Sequence, residues 1–561
     1  MKKFIMSQNP EQTIAELQQK IKSLELQLKK AKDSSGYGLK WEEKPEIFEE
    51  RAQNALPLLK EDKSLLIDNK SDLDHIIIEW DNYHALSALN YTHKWMIDLI
   101  YIDPPYNTGN KDFIYNDNYV DPEDTYRHSK WLSFMNKRLR LARNLLSENG
   151  FIFISIDDNE QHNLKLLLLE IFWENNIEEL IWQKQWNDNK SIFSWVNTIR
   201  NDHENIFVAY KNRSSTILER PTIITEFKNK YWNIDNDPRW NWMSAELWKS
   251  DVRSIPTWKN YFTLTSPTWN QWTRQWHFSE SEMKKLDKEW KIYRWNWNTV
   301  PRLKKFLSEP VKRIPSSLLL DKWSTKIWRQ DILDIFWEIV FDYPKPVILI
   351  KYLISLESNK DCYVLDFFAW SWTTGQAVLE LNKQDWWHRQ FILCSNRENT
   401  KENPDKNICK DITYERVKRV MQWYTNSKWE KVEWLGWWNL RYYTTEFIEK
   451  KKSADDLRQS FIYLCDELLC IKEDTFNEYK SEFLSDKLKC YQKNNHYTVI
   501  LYDIREIEKL QQLLSILNGK ISVYIFSLSK DSCEEELQEY SEKITIENIP
   551  DDILETYKKI F

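Results

Sequence analysis

The chain has 561 residues, enough for two to four domains, with 42% hydrophobic and 29% charged residues and a formal net charge of -7. No apolar run is long enough to span a bilayer, and the opening MKKFIMSQNPEQ lacks a signal-peptide core, so a cytoplasmic protein with no membrane partner is expected. Seven cysteines scattered from Cys362 to Cys533 without a C-x-x-C pair argue against both a disulfide framework and a structural zinc site. The acidic balance gives no global sign of nucleic-acid binding, so any DNA contact needs a local basic surface. Only 7 glycines stand beside 31 tryptophans. The two together come close to the ~39 glycines that average usage predicts for this length. Turns and close backbone approaches require the residue that is nearly missing.

Residues 11–33 place Ile14, Leu17, Ile21, Leu24, Leu28 and Ala31 at heptad spacing, which predicts a short coiled-coil helix ending before Gly36 and Gly38. Apolar runs of strand length follow between Leu65 and Glu79 and from Met96 to Ile102. Lys130 to Leu146 reads as a helix and Phe151 to Ile156 as a strand, so the alternation points to an α/β sheet with buried, mostly parallel strands. From about 180 to 335 the rhythm gives way to aromatics, Asn, Lys and Arg, the composition of an inserted domain. It returns with Val347–Leu356 as a helix and Cys362–Leu365 as a strand. A final unit carries strands at Tyr497–Tyr502 and Ile521–Phe526 around a helix at Ile504–Leu517.

Two motifs carry chemistry. Asp103, Pro104, Pro105 and Tyr106 follow the strand DLIYI, where open α/β sheets bind ligands. The prolines remove N–H donors and leave carbonyl acceptors, and the tyrosine offers a flat face. Such a site suits a planar group with an exocyclic amine, whose NH2 would donate to the carboxylate and a proline carbonyl. The second motif, DFFAWSWTTG, follows the strand CYVL. With glycine at 370 and 372 it would be a strand, a glycine-rich turn and a helix whose N-terminal amides face a ligand.

The phrases DNYHALSALNYTHKW, RHSKWLSFMNKRLRLARNLLSENGFIFISIDDNEQ, FDYPKPVILIK and DFFAWSWTTGQAVLE, with DPPY preceding the glycine-type turn in chain order, resemble the adenine-specific DNA methyltransferases of the beta group. Within it the chain most resembles the modification subunit of type III restriction–modification systems, from about residue 40 to 450. The resemblance implies an α/β, Rossmann-like S-adenosylmethionine-dependent methyltransferase fold with an inserted target-recognition domain. The implied domains are a coiled-coil helix over 1–35, a catalytic half over 40–180, a target-recognition insertion over 181–335, a cofactor-binding half over 336–450 and a small C-terminal α/β unit over 451–561. S-adenosylmethionine is the implied cofactor, with no metal. Its methionine part would be held by Phe368 and the turn Ala369, Trp370, Ser371 and Trp372, with Phe367 beside them and Thr373 and Thr374 at the helix start. Asp366 would meet the amino group, Glu398 the ribose hydroxyls, and Lys345 belongs to a further cofactor-lining element. Asp103 and the Pro104 carbonyl would activate N6 of an adenine flipped out of double-stranded DNA and stacked on Tyr106, with Asn107, Thr108 and Gly109 at the rim.

The family has glycine where this chain has Trp80, Trp95, Trp173, Trp370, Trp372, Trp386, Trp387, Trp434, Trp437 and Trp438. A codon read as glycine in the source and rendered as tryptophan accounts for that pattern. Literal indoles at 370 and 372 would instead fill the cofactor turn and favour a non-catalytic DNA-recognition subunit. An orphan N6-adenine or N4-cytosine methyltransferase is the other alternative. No G-x-x-x-x-G-K-[ST] loop occurs even with each tryptophan read as glycine, so ATP-driven cleavage needs a separate restriction subunit. The heptads and the last unit are candidate surfaces for that partner or for a homodimer.

Overall fold

A computed structural model of the chain describes residues 39–46, 55–109, 113–115, 118–184, 201–220, 233, 235–239, 241–249, 255–265, 270–293, 300–306, 314–320, 325–340, 344–370, 373–398, 407–449, 465–526, 533, 535–549 and 551–560. The heptad segment expected to form a coiled coil, and Ser371 and Trp372 of the cofactor turn, lie outside them. The described residues fall into two compact units, Leu218–Ser316 and the rest of the chain.

The larger unit is built on a ten-stranded sheet. Its strands are β1 (Ala55–Glu61), β2 (Asp74–Glu79), β3 (Ile97–Ile102), β4 (Leu146–Ile156), β5 (Ile177–Gln183), β6 (His203–Tyr210), β7 (Leu318–Leu319), β8 (Tyr363–Asp366), β9 (Gln390–Ser395) and β10 (Asn439–Glu449). They lie in the order β1-β10-β2-β9-β8-β3-β4-β6-β5-β7. The central six, from β10 to β4, are all parallel. β1 pairs antiparallel with β10, and β6 runs antiparallel to both β4 and β5. The central strands are buried on both faces, as their continuous apolar runs require.

Helices cross between these strands: α1 (Asn82–Thr92), α2 (Arg127–Leu145), α3 (Gln161–Phe172), α4 (Val347–Ile354) and α5 (Thr373–Asp385). On α2, Trp131, Met135, Leu139, Ala142 and Leu145 recur every three or four residues and all are buried, the stripe that seats a helix on a sheet. The chain leaves β3 for β4 on one side and β8 for β9 on the other. Because β3 and β8 are neighbours, pairing Leu99 with Val364 and Ile100 with Leu365, their C-terminal ends flank a topological switch point.

The compact unit Leu218–Ser316 lies inside the segment that composition set off over 181–335. Its bounds are narrower because β5 ends at Gln183, and β6 and β7 are further strands of the large sheet. The unit contains a three-stranded sheet, a two-stranded hairpin and the helix Glu280–Lys288, whose Ser279 and Glu282 form a capping box, around Leu247, Trp276, Met283 and Ile292. C-terminal residues form a five-stranded sheet in which His496–Leu501, Lys520–Phe526 and Ile544–Ile549 are parallel. Lys493, at the end of this sheet's Leu488–Lys493 strand, pairs with Asp74 of β2 at 3.1 Å. Among the described residues no helix is long and apolar enough to cross a membrane.

Candidate active site

The exit of β3 delivers Asp103 to the switch point. Its two carboxylate oxygens accept from Lys345 Nζ at 2.9 and 2.7 Å, and Oδ1 also accepts from the Tyr106 hydroxyl at 2.8 Å. Lys345 precedes α4, so the contact joins positions 242 residues apart. A second carboxylate, Glu204 of β6, lies 3.6 Å from Lys345 Nζ and accepts from the Tyr106 hydroxyl at 3.2 Å and from Lys184 at 3.4 Å. The side chains of Asp103 and Lys345 are only 23% and 9% exposed, so these charges interact in a poorly screened setting.

That setting divides the two carboxylates. Burial pushes the Asp103 carboxyl above its ordinary range, against the pull of the Lys345 ammonium. Burial acts on Glu204 in the same sense, but Lys345, Lys184 and the Tyr106 hydroxyl together bring it below its ordinary range. Lys345 loses affinity for its proton through burial and regains more from Asp103 and Glu204, ending above the usual lysine range. Asp103 is the nearer counterion of Lys345 and also the carboxyl closer to taking up a proton, while Glu204 shares its charge between Lys345 and Lys184.

The proline backbone is held by α2, whose Trp131 Nε1 donates to the Pro105 carbonyl at 2.7 Å. Among the described residues no donor reaches the Pro104 carbonyl. Asn107 follows in the left-handed region, φ 57°. Its amide donates at 2.5 Å to Glu160 Oε1, which also meets His128 Nδ1 at 2.7 Å while Oε2 accepts from Asn163 at 2.7 Å. The fully buried Glu160 thus fixes the turn that leaves Tyr106. Thr108 is half-buried in this turn, and Gly109 has φ 84° with a Cβ there falling 2.7 Å from Pro122 Cγ, so only glycine fits.

On the other side of the switch point, Asp366 ends β8. Its carboxylate accepts from the Phe368 amide at 3.0 Å and from the Thr374 hydroxyl at 2.6 Å. Burial pushes it up to about 7, and among the described residues no cation pairs with it. Thr373, at the start of α5, donates to the Lys345 carbonyl at 3.0 Å, so the two elements are tied directly. Phe367, Phe368 and Ala369 are buried, with the Phe367 carbonyl held by Asn82 at 2.9 Å and the Ala369 amide by the Cys394 carbonyl at 3.1 Å. Trp370 lies across the gap: its Nε1 donates to the Asp103 carbonyl at 2.8 Å and its rings stack on Phe368 with centroids 6.0 Å apart. Past β9, Glu398 has φ 50° and is half-buried, while the buried Asn396 Oδ1 has no hydrogen-bond partner.

Of the sequence-derived set, the described residues at the exits of β3 and β8 form two clusters on neighbouring strand ends, bridged by Lys345 and Trp370, while Glu398 stands apart past β9. Glu204, Trp131, Glu160 and Asn396 were not foreseen. The alternating apolar run of HENIFVAY is a strand signal that identifies β6, and with it the position of Glu204.

A doubly wound sheet with an acid, two prolines and an aromatic at its switch point, opposite an acid-ended strand and helix start, defines a methyltransferase-type architecture. A profile of the DNA methylase family for N6 and N4 modification matches residues 97–416, more than half of the chain, and the chain belongs to that family. It is 31% identical over 418 residues to the type III restriction-modification enzyme StyLTI Mod subunit of Salmonella typhimurium, covering 69% of this chain and 63% of that protein. It is 30% identical over 432 residues to the EcoP15I Mod subunit of Escherichia coli, covering 65% and 66%. The chain thus spans just under two thirds of the length of these curated relatives. Among solved structures, the PvuII cytosine-N4-specific DNA methyltransferase aligns at TM-score 0.30 and 11% identity over 57% of this chain and 82% of that one, too distant to add to the argument.

Proposed function

We propose that the chain is the modification subunit of a type III restriction–modification system, methylating N6 of an adenine flipped out of double-stranded DNA. The observation that carries this reading is the pair of unlike carboxylates around Lys345. A flipped adenine stacked on Tyr106 presents its exocyclic amine to Asp103 and the Pro104 carbonyl. Both accept from the NH2, drawing its lone pair out of conjugation with the ring. Glu204 keeps the Lys345 charge balanced, so Asp103, already raised toward protonation, is the nearest acceptor for the proton that N6 releases.

The polar groups fit the family's cofactor. Asp366, buried without a cation, suits an amino group, and the orphan Asn396 Oδ1 suits a hydroxyl donor where Glu398 was expected to serve. Phe367, Phe368 and Ala369 would line the methionine part, with Thr373 and Thr374 holding the helix start. S-adenosylmethionine, when bound, supplies the electrophilic methyl group. The indole of Trp370 does not fit, since it occupies space between Asp103 and Phe368.

The unit Leu218–Ser316 would read the DNA site. Its exposed Trp258 beneath Lys249, and Trp248 between Arg274 and Arg302, pair aromatic faces with cations as nucleic-acid surfaces do. A restriction subunit, a second copy of this chain and the cytoplasm complete the proposed setting. Expression in a host without adenine methylation, followed by mapping of methylated bases, tests the reading. N6-methyladenine confined to one sequence, and absent with Asp103→Ala, is expected; an unmodified genome from a folded, cofactor-binding chain overturns it.

A further inference from the structure

Thirteen non-glycine residues among those described have positive φ, and six of them are tryptophan: Trp95, Trp173, Trp290, Trp337, Trp386 and Trp429, with φ between 56° and 68°. Of the other seven, four are Asn or Asp, the types that tolerate this region. The chain has 27 tyrosines and 24 phenylalanines, and among the described residues none adopts it. A general tolerance for aromatic side chains would have recruited them too.

Each of the six sits where backbone geometry asks for glycine. Trp337 and Trp386 follow helices and donate their amides to Leu333 and Asn382 at 2.9 and 2.8 Å, the left-handed helix ending. Trp290 is the left-handed residue of an ending closed by Lys291 N–H to the Leu286 carbonyl at 2.9 Å. Trp173 ends α3 at φ 65° and ψ 153°, a region essentially reserved for glycine. Trp95 is the third residue of a turn closed by Met96 N–H to the His93 carbonyl at 3.1 Å, and Trp429 closes the hairpin loop opened by Asn426. The six side chains are 47% to 83% exposed. Trp131, Trp242 and Trp276 differ in burial and backbone, being buried outside the left-handed region with Nε1 bonded to Pro105, Asp235 and Phe262; of the six, Trp337 also donates its Nε1, to the Thr425 carbonyl at 2.7 Å.

We infer that these six positions are glycine in the protein its source makes, through a codon read there as glycine, and that the same codon underlies Trp370 and Trp372, where the family pattern rather than backbone conformation calls for glycine. Three of the six, Trp290, Trp337 and Trp429, are identified by backbone conformation alone. At Trp370, glycine removes the indole that bonds the Asp103 carbonyl and covers Phe368, opening space between the two halves of the site; this last step rests on the proposed function.

The test compares the chain with a variant carrying W95G, W173G, W290G, W337G, W386G and W429G, and with a control carrying W131G, W242G and W276G. Relief of left-handed strain, less the flexibility that glycine adds to the unfolded chain, raises the folded-to-unfolded ratio about a few-fold per site. The six-site variant is therefore expected to denature at higher urea and the control at lower. A six-site variant no more stable than the parent overturns the inference, as do peptides from source-purified protein that contain tryptophan at these positions. Adding W370G and W372G is expected to confer binding of labelled S-adenosylmethionine. A stabilised eight-site variant that fails to bind it overturns the cofactor reading and leaves the turn assignment standing.

Discussion

Asp366→Asn separates the needs of folding from those of the site. The carboxyl is 4% exposed and sits at about 7, against an ordinary value of 3.8. A folded-state value above the unfolded one means that the native chain holds a proton which the unfolded chain releases, so stability is full below about pH 4 and falls until about pH 7. Roughly three pKa units at ~1.4 kcal/mol each give a loss of at most ~4 kcal/mol at pH 8. Asparagine keeps one acceptor, for the Phe368 amide, and puts an NH2 where Oδ2 accepted from the Thr374 hydroxyl, a change that costs ~1–3 kcal/mol at every pH. The pH dependence is consequently cleaner than the net value. Urea denaturation of both proteins from pH 5 to 8 is expected to show the variant gaining on the parent by ~1.4 kcal/mol per pH unit up to about 7, then levelling. A difference that stays flat across that range refutes the picture of a buried, uncompensated carboxylate.

Four other substitutions probe the opposite side of the switch point. Asp103→Ala is expected to abolish methyl transfer while leaving labelled S-adenosylmethionine binding unchanged in the glycine-bearing chain; retained turnover removes Asp103 from its assigned role. Lys345→Met leaves Asp103 without a counterion and Glu204 with Lys184 alone, so stability is expected to fall by ~3–5 kcal/mol, more at pH 8 than at pH 5 because Asp103, already raised, takes on its uncompensated charge as pH rises. Adding Glu204→Gln should recover part of that loss, and strictly additive effects in a double-mutant cycle would dissolve the proposed coupling. Glu160→Ala strands the amides of Asn107 and Asn163 and should speed hydrogen exchange across residues 106–109, while unchanged exchange there would show that Glu160 does not hold the turn.

Much of the site was legible before the structure because its two strand exits are local signals. DLIYI and CYVL are continuous apolar runs ended by an acid, and a buried parallel strand can hardly be written otherwise. What escaped was set by distance or by context. β1 pairs with β10 across nearly the whole chain, and no local pattern announces that partner. β6 alternates correctly but sits in a polar, aromatic-rich stretch, so Glu204 passed as part of the insertion. Trp131 sits in the polar and basic helix phrase RHSKWLSFMNKRLR, and only the fold shows its Nε1 bracing Pro105. Lys345 was placed in the cofactor element, whereas its ammonium engages Asp103, Tyr106 and Glu204, and only its backbone carbonyl reaches the cofactor side through Thr373.

The two anomalies of the chain, a shortage of glycine and an indole in the cofactor turn, bear on different physical quantities. Charge placement at the switch point is complete without any glycine: Asp103, Lys345, Tyr106 and Glu204 form one network, and Asp366 waits uncompensated across from it. Those positions depend on β3, β6 and β8, whose cores are aliphatic and aromatic and contain no tryptophan. The misfit is purely one of volume, at Trp370, and of backbone hand, at the six turns. A chain drifting away from catalysis would be expected to lose costly buried charges before its turns, because such charges lower stability once the ligand that pairs them is gone. Here the charges are kept and the glycines are missing, the reverse of decay. That pattern fits the proposed methyltransferase, written in an altered glycine code, better than a chain in decay.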